Sequence, residues 1–117
     1  MKKLLFLFMC ASLSIGASAQ LKKLTISSAQ ATSQQSGEDA SKAIDGNVNT
    51  LWHSQYQGTT FPVTFTASFT SKTHVDVMRY VPRTNGDNGN WLKVEVAYSE
   101  SKTMNKWETV GTYNLSG

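Results

Sequence analysis

Two groups of polar residues in this chain have types and spacings suited to chemistry. The first lies in the run Lys42 to Tyr56, K-A-I-D-G-N-V-N-T-L-W-H-S-Q-Y. Asp45 and Asn47 offer side-chain oxygens two residues apart, and Thr50 adds a hydroxyl and a carbonyl. The Lys42 carbonyl lies one helical turn before Asp45, and Gly46 lets the backbone bend around a common centre. Oxygen-only ligands in a bent loop suit Ca²⁺, which takes six to eight of them at about 2.3–2.6 Å. The spacing is not that of an EF-hand, because no glutamate closes the loop at the expected offset. Taken alone, D-G-N is more often a plain turn than a cation loop, and the residues leave both readings open.

The second group is His53, Tyr56, Arg83 and Asn88. His53 follows Trp52 directly, so on an extended chain the two side chains point to opposite faces. With Trp52 in the core, His53 faces outward. Arg83 follows Pro82, whose rigid φ helps to aim it, and Asn88 lies five residues on in a glycine-rich loop. An imidazole, a guanidinium fork, an amide and an aromatic ring together suit a sugar. The polar groups read hydroxyls and the ring packs on the C–H face. The enzymatic alternative is a small glycosidase using Glu38 or Asp45 with His53. Glycoside hydrolysis normally needs two carboxylates flanking the bond. With Asp45 assigned to a metal, no second acid lies near His53 in sequence.

These residues need a scaffold, and its pattern is β. Phe61, Val63, Phe65, Ala67 and Phe69 alternate with polar residues and Pro62, which predicts a strand over Phe61–Thr70. Val75–Val81 carries apolar residues on both faces, which predicts a strand central in a sheet. Leu92–Ser99 alternates again, and Trp107–Tyr113 starts a fourth strand after the polar turn Ser101–Lys106. Thr84–Asn90, T-N-G-D-N-G-N, reads as a loop with residues suited to positive φ. Ser27–Ser36 reads as irregular or weakly extended, and Ser36–Ile44 as one short helix. Short strands with almost no helix predict an all-β sandwich. The chain stops at Ser116-Gly117 just after a strand, leaving an open edge, which predicts an incomplete domain.

The first 19 residues stand apart. Lys2 and Lys3, an apolar run from Leu4 to Ile15, and Ala17-Ser18-Ala19 before Gln20 read as a secretory signal peptide. Cys10 lies inside it, preceded by Phe8 and Met9 rather than the small residues of a lipoprotein signal. The mature chain, residues 20–117, then has no cysteine, which excludes disulfides and thiolate metal sites. A small exported domain of this kind needs another stabiliser, and a structural metal ion is one. Of 11 Lys and Arg, removing Lys2 and Lys3 leaves nine against eight Asp and Glu. No basic run follows Lys23, which argues against a nucleic-acid partner. The expected location is periplasmic, cell-surface or secreted, in a bacterium.

K-A-I-D-G-N-x-N-T-x-W-H-S-x-Y followed by Y-V-P-R-x4-N-G-N resembles the discoidin, or coagulation factor V/VIII type C, family. The similarity is greater to its bacterial branch, the family 32 carbohydrate-binding modules, and spans roughly Ser27 to Tyr113. The resemblance implies a jelly-roll β-sandwich, galactose-binding-domain-like, with one structural Ca²⁺. Its ligands would be the Lys42 carbonyl, the Asp45 and Asn47 side chains, and Thr50. It also implies a shallow site for terminal galactose-type sugars, galactose or N-acetylgalactosamine among them. His53, Arg83 and Asn88 fall on the family's polar sugar ligands. Tyr56 falls where a flanking aromatic sits, and Glu38 near an acidic position that some members use. Trp52 matches a buried tryptophan. The implied function is a non-catalytic carbohydrate-binding module, as accessory to a catalytic domain beyond residue 117 or on its own. A membrane- or protein-binding adhesion domain is the alternative. Its loops would carry apolar spikes, whereas Gln55–Thr60 and Thr84–Asn90 are mainly polar, with Trp91 the exception.

Overall fold

The computed structural model describes residues 20–115. The signal-peptide reading of residues 1–19 and the terminal Ser116-Gly117 fall outside them. Four antiparallel strands form two small sheets, with one short 3₁₀ turn between. The strands are β1 (Ser28–Ala31), β2 (Phe65–Ser68), β3 (Lys93–Tyr98) and β4 (Glu108–Asn114).

β1 pairs with β2 from Ser28 opposite Ser68 to Ala31 opposite Phe65. The ladder is extended by Ser27 N–H donating to the Ser68 carbonyl at 2.8 Å and Thr32 N–H to the Thr64 carbonyl at 3.0 Å. The weakly extended start of Ser27–Ser36 is therefore a strand. The alternating run Phe61–Thr70 contributes a shorter one, because a strand extends only as far as its partner does. Phe61 stays 76% exposed. β3 and β4 form the second sheet, with a register shift between Val96 and Ala97 where the hairpin twists. Their positions agree with the alternation read over Leu92–Ser99 and Trp107–Tyr113.

Two expectations are corrected. Val75–Val81 is not a strand, and Val75, Val77, Met78 and Val81 are all exposed. Apolar residues on both faces say that a segment suits burial; they do not supply neighbours for the backbone, and a central strand needs them on both edges. The helix over Ser36–Ile44 reduces to a 3₁₀ turn, Ala40–Ala43. Gly37 takes φ +82°, and Glu38 N–H closes back on the Gln35 carbonyl at 3.0 Å. These residues therefore form a reverse turn where the helix would have had its first turn.

The sheets meet through aromatic rings. Trp52 lies 5.0 Å from Phe65 on β2 and 6.0 Å, edge-on, from Trp91 just before β3. Trp91 in turn stacks on Tyr80 at 4.6 Å and 6°. The Tyr80 hydroxyl accepts the Trp91 backbone N–H at 3.1 Å. Trp52 donates its Nε1–H to the Ser33 carbonyl at 3.1 Å, so the polar edge of the indole is satisfied inside the cluster. Ala40, 2% exposed, is the one fully buried apolar residue among the described residues. Partly buried rings thus supply the joint between the sheets.

Removing that joint should unfold the chain readily. Trp52→Ala is expected to cost about 3 kcal/mol, and Trp52→Phe, which keeps a ring but not the donor, about 1 kcal/mol. Urea melts check both values, and a Trp52→Ala variant as stable as the parent would remove the cluster from its place in the fold.

Candidate functional site

The Trp52 anchor fixes the residues next to it in the chain. His53 N–H donates to the Glu38 carbonyl at 3.1 Å, and the His53 carbonyl accepts Gln35 N–H at 2.8 Å. The turn Gln35–Glu38 is thereby laced to the segment that carries His53 and Tyr56. The side chains then converge. The Tyr56 hydroxyl donates to Glu38 Oε2 at 2.8 Å. The Tyr56 ring meets the His53 imidazole edge-on at 5.0 Å and 80°. The Glu38 carboxylate that Tyr56 donates to raises the Tyr56 pKa, with help from burial, while the positive charge of Arg83 acts in the opposite direction. Glu38, His53 and Tyr56 thus form one contact group, with Arg83 within electrostatic reach of it.

His53 is more constrained than an outward-facing surface histidine. Its Nδ1 lies 2.6 Å from the Ser54 carbonyl. A carbonyl can only accept, so Nδ1 carries the proton and Nε2 of the neutral ring presents a lone pair. That Nε2 is buried with no hydrogen-bond partner. Its cover is the backbone of the 84–90 loop: a Cβ at Gly89 would stand 2.5 Å from Nε2. Gly89 also holds φ +82°, a left-handed backbone that a side chain disfavours. A buried acceptor without a donor is costly, and such groups mark places where a ligand or a movement completes the bonding.

Arg83 ties the covering loop together. Its Nε donates to Asn85 Oδ1 at 3.2 Å and its Nη1 to the Asn88 carbonyl at 3.3 Å. Asn88 is therefore engaged through its backbone, and its side chain is exposed. Asn85, one of several asparagines in a polar loop, was not singled out by the sequence, and its spacing two residues after Arg83 is the one signal it offered. Gln35 was missed too. It accepts Tyr56 N–H at 3.2 Å on Oε1, a contact 21 residues away that no local pattern announces.

The oxygen-rich loop closes around a hydroxyl. Thr50 Oγ1 lies 2.7 Å from Asp45 Oδ2, 2.9 Å from the Asn47 carbonyl and 3.5 Å from the Lys42 carbonyl. The four residues read as cation ligands are thus gathered at one point. Asn47 differs in detail. Its carbonyl faces Thr50, while its side-chain oxygen accepts Asn49 N–H at 3.0 Å. Asp45 Oδ1 accepts Asn47 N–H at 2.8 Å. The Thr50 hydroxyl, then the Asn47 N–H, hold the Asp45 pKa below the usual 3.8. One hydroxyl hydrogen cannot serve three acceptors, so the donor set is oxygen-rich and short of positive charge. That composition fits a hard cation.

A substitution at the contact between loop and imidazole tests this geometry. Gly89→Ala should displace the 84–90 loop and open His53 Nε2 to solvent. Faster modification of His53 by diethylpyrocarbonate, with an altered imidazole NMR signal, is the expected result; an unchanged imidazole would show that the loop does not rest on it.

The F5/8 type C domain model matches residues 27–117. Two curated relatives, both named galactose oxidase and both from Gibberella zeae (one from strain PH-1), are each 33% identical over 76 residues. The match covers 62% of this chain and 11% of each relative, so the chain spans about a ninth of their length. Domains of this kind are jelly-roll β-sandwiches that bind carbohydrates or proteins and are not themselves catalytic. The antiparallel, almost helix-free architecture agrees with that fold. With the family model matching nearly all of the described residues, the chain belongs to the F5/8 type C, or discoidin, domain family and has its jelly-roll β-sandwich fold.

Proposed function

We propose that this chain is a non-catalytic module that holds a terminal galactose-type sugar on a glycan, braced by a structural Ca²⁺. The observation that carries the proposal is the grouping of Glu38, His53 and Tyr56 under a loop pinned by Arg83. A lone-pair acceptor, a carboxylate, a guanidinium and a ring edge on one rim suit the alternating hydroxyls and C–H faces of a sugar. The galactose named in the two relatives points the same way. In this proposal His53 Nε2 accepts a sugar hydroxyl once the Gly89 backbone yields. Arg83 and the Asn88 side chain donate to neighbouring oxygens, and Tyr56 flanks the ring. Residues 1–19 would direct export, placing the module where glycans are exposed.

Other assignments find less support. The two carboxylates that the glycosidase reading would use are engaged separately, Glu38 by Tyr56 and Asp45 by Thr50, rather than with each other. Trp91, the one apolar residue that suggested a membrane- or protein-binding loop, is committed to stacking on Tyr80.

For the cation, the Lys42 and Asn47 carbonyls, the Asp45 carboxylate and Thr50 are the residues that would hold it. A bound Ca²⁺ would supply the positive charge that these oxygens lack and so stiffen the loop.

A shallow site of this kind should bind a monosaccharide at about −4 to −6 kcal/mol, roughly millimolar to tens of micromolar. Arg83→Ala is expected to weaken binding of a methyl galactoside about tenfold or more. Calorimetric titration of the mature domain checks this, and an Arg83→Ala variant that binds as well as the parent sinks the site assignment.

Added Ca²⁺ at about a hundred times its Kd should stabilise the fold by about 2.7 kcal/mol, an effect absent in Asp45→Ala. In Ca²⁺-free buffer the lowered Asp45 pKa has its own consequence. The contribution of the ionised carboxylate is fully present above pH 3.8 and is lost as pH falls through the depressed value. Thermal melts with and without chelator, across pH, test both statements; a melting temperature indifferent to Ca²⁺ would remove the cation from the loop.

A further inference from the structure

The loop that covers His53 carries two Asn-Gly pairs, Asn85-Gly86 and Asn88-Gly89. An asparagine followed by glycine can close on its own backbone. The glycine nitrogen attacks the side-chain amide carbon, ammonia leaves, and a succinimide ring forms. Glycine has no side chain to hinder that approach. We propose that Asn88-Gly89 is a self-modifying site, at which Arg83 and His53 promote loss of the Asn88 amide and so switch off the rim to which they belong. The modification itself does not depend on the sugar reading; its effect on binding rests on that reading.

The two pairs differ in the fold. The Asn85 side chain is held, because its Oδ1 accepts from Arg83 Nε at 3.2 Å. The Asn88 side chain is exposed and makes no hydrogen bond among the described residues, since Arg83 holds Asn88 by its carbonyl. Its amide carbon can therefore swing onto the next peptide. The Gly89 N–H is uncommitted as well. The turn here is closed one residue on, by Asn90 N–H donating to the Asp87 carbonyl at 3.0 Å.

Two neighbours act on that peptide. Arg83 Nη1 donates to the Asn88 carbonyl at 3.3 Å. This carbonyl is conjugated with the Gly89 nitrogen, so a cationic donor on it draws electrons from the nitrogen and makes its proton easier to remove. His53 Nε2 is the base at hand. It is buried without a hydrogen-bond partner, and a Cβ at Gly89 would stand 2.5 Å from it. Standard bond lengths put the Gly89 nitrogen about 2.5 Å from that Cβ point, hence within roughly 5 Å of Nε2. A small movement of an exposed loop brings the N–H to the lone pair.

The step balances in atoms and protons. Nε2 takes the Gly89 amide proton, the nitrogen bonds to Asn88 Cγ, and the proton passes to the amide nitrogen, which departs as ammonia. Water then opens the ring at either carbonyl. One product is an aspartate at position 88. The other is an isoaspartate, whose main chain is longer by one carbon. Both place a new carboxylate beside Arg83, where it pairs with the guanidinium in place of a sugar oxygen.

Incubation of the mature domain in mildly alkaline buffer, with mass-spectrometric mapping of each asparagine, tests the proposal against a synthetic peptide of Thr84–Lys93. In the folded domain Asn88 should convert at least as fast as in the peptide, and about fivefold faster than Asn85 in the same molecule. His53→Gln and Arg83→Gln should each slow Asn88 about fivefold. Slower conversion of Asn88 in the domain than in the peptide overturns the proposal, as does conversion equal to that of Asn85. An unchanged or faster rate in either variant also overturns it, since the loop would then be merely accessible. The converted domain should bind methyl galactoside about tenfold more weakly than the parent. Undiminished binding overturns the switch. A parent that converts as expected but binds no galactoside overturns the sugar reading and leaves the modification standing.

Discussion

Everything at the candidate site depends on where the Trp52 indole is held. Its ring joins Phe65 of one sheet to Trp91 at the start of the other, and its N–H is spent on the Ser33 carbonyl. An indole fixed by packing on its faces and by a hydrogen bond at its edge has little freedom left, and neither does the peptide bonded after it. His53 inherits that order. Its backbone is bonded to Gln35 and Glu38 on both sides, so imidazole, phenol and carboxylate are placed before any ligand arrives. A site whose parts are ordered in advance loses less entropy on binding. That matters for a shallow surface with few contacts to offer.

The loop over His53 works against this economy. Its backbone covers His53 Nε2, the buried side-chain atom without a hydrogen-bond partner among the described residues, and Arg83 braces it by bonding Asn85 and Asn88. Arg83 thus bonds the loop, and in the proposed function a ligand would be its alternative partner. A guanidinium carries five donors, so it can keep some loop bonds while donating to a sugar oxygen. The buried Nε2 favours any arrangement in which it gains a donor. In the proposed function, loop and sugar hydroxyl would compete for the same space, and a hydroxyl donating to His53 Nε2 would satisfy a buried acceptor that has no hydrogen-bond partner.

Much of this was legible in the sequence, for identifiable reasons. The third and fourth strands were readable because alternation over Leu92–Ser99 and Trp107–Tyr113 coincides with a hairpin, where each strand finds its partner across a short polar turn. The segment Val75–Val81 is apolar on both faces but has no partner in the ladder, which its pattern cannot report. β1 was the converse. Ser, Ala and Gln give no strand signal, and Ser28–Ala31 is extended because β2 offers it an edge. At the site, residue types at motif spacing marked His53, Tyr56, Arg83 and the oxygen-rich loop. The contacts that stayed hidden join distant segments: Glu38 with Tyr56, Gln35 with Tyr56, and Gly89 over His53. Each depends on where the chain returns after turns that local pattern does not specify.

The oxygen-rich loop and the Glu38–His53–Tyr56 group are not independent, because Trp52 stands between them. Thr50, on which Asp45, Asn47 and Lys42 converge, lies two residues before the indole, and His53 directly after it. A backbone segment this short has few dihedrals with which to absorb a change at one end. Loosening the Thr50 cluster therefore frees the segment that seats the indole, and with it the backbone bonds that hold His53 to Gln35 and Glu38. A cation in the loop needs no contact with a sugar to improve its binding. It would act by restricting the Trp52–His53 segment to the one arrangement in which imidazole, phenol and carboxylate already meet, which is coupling through conformational freedom rather than through charge.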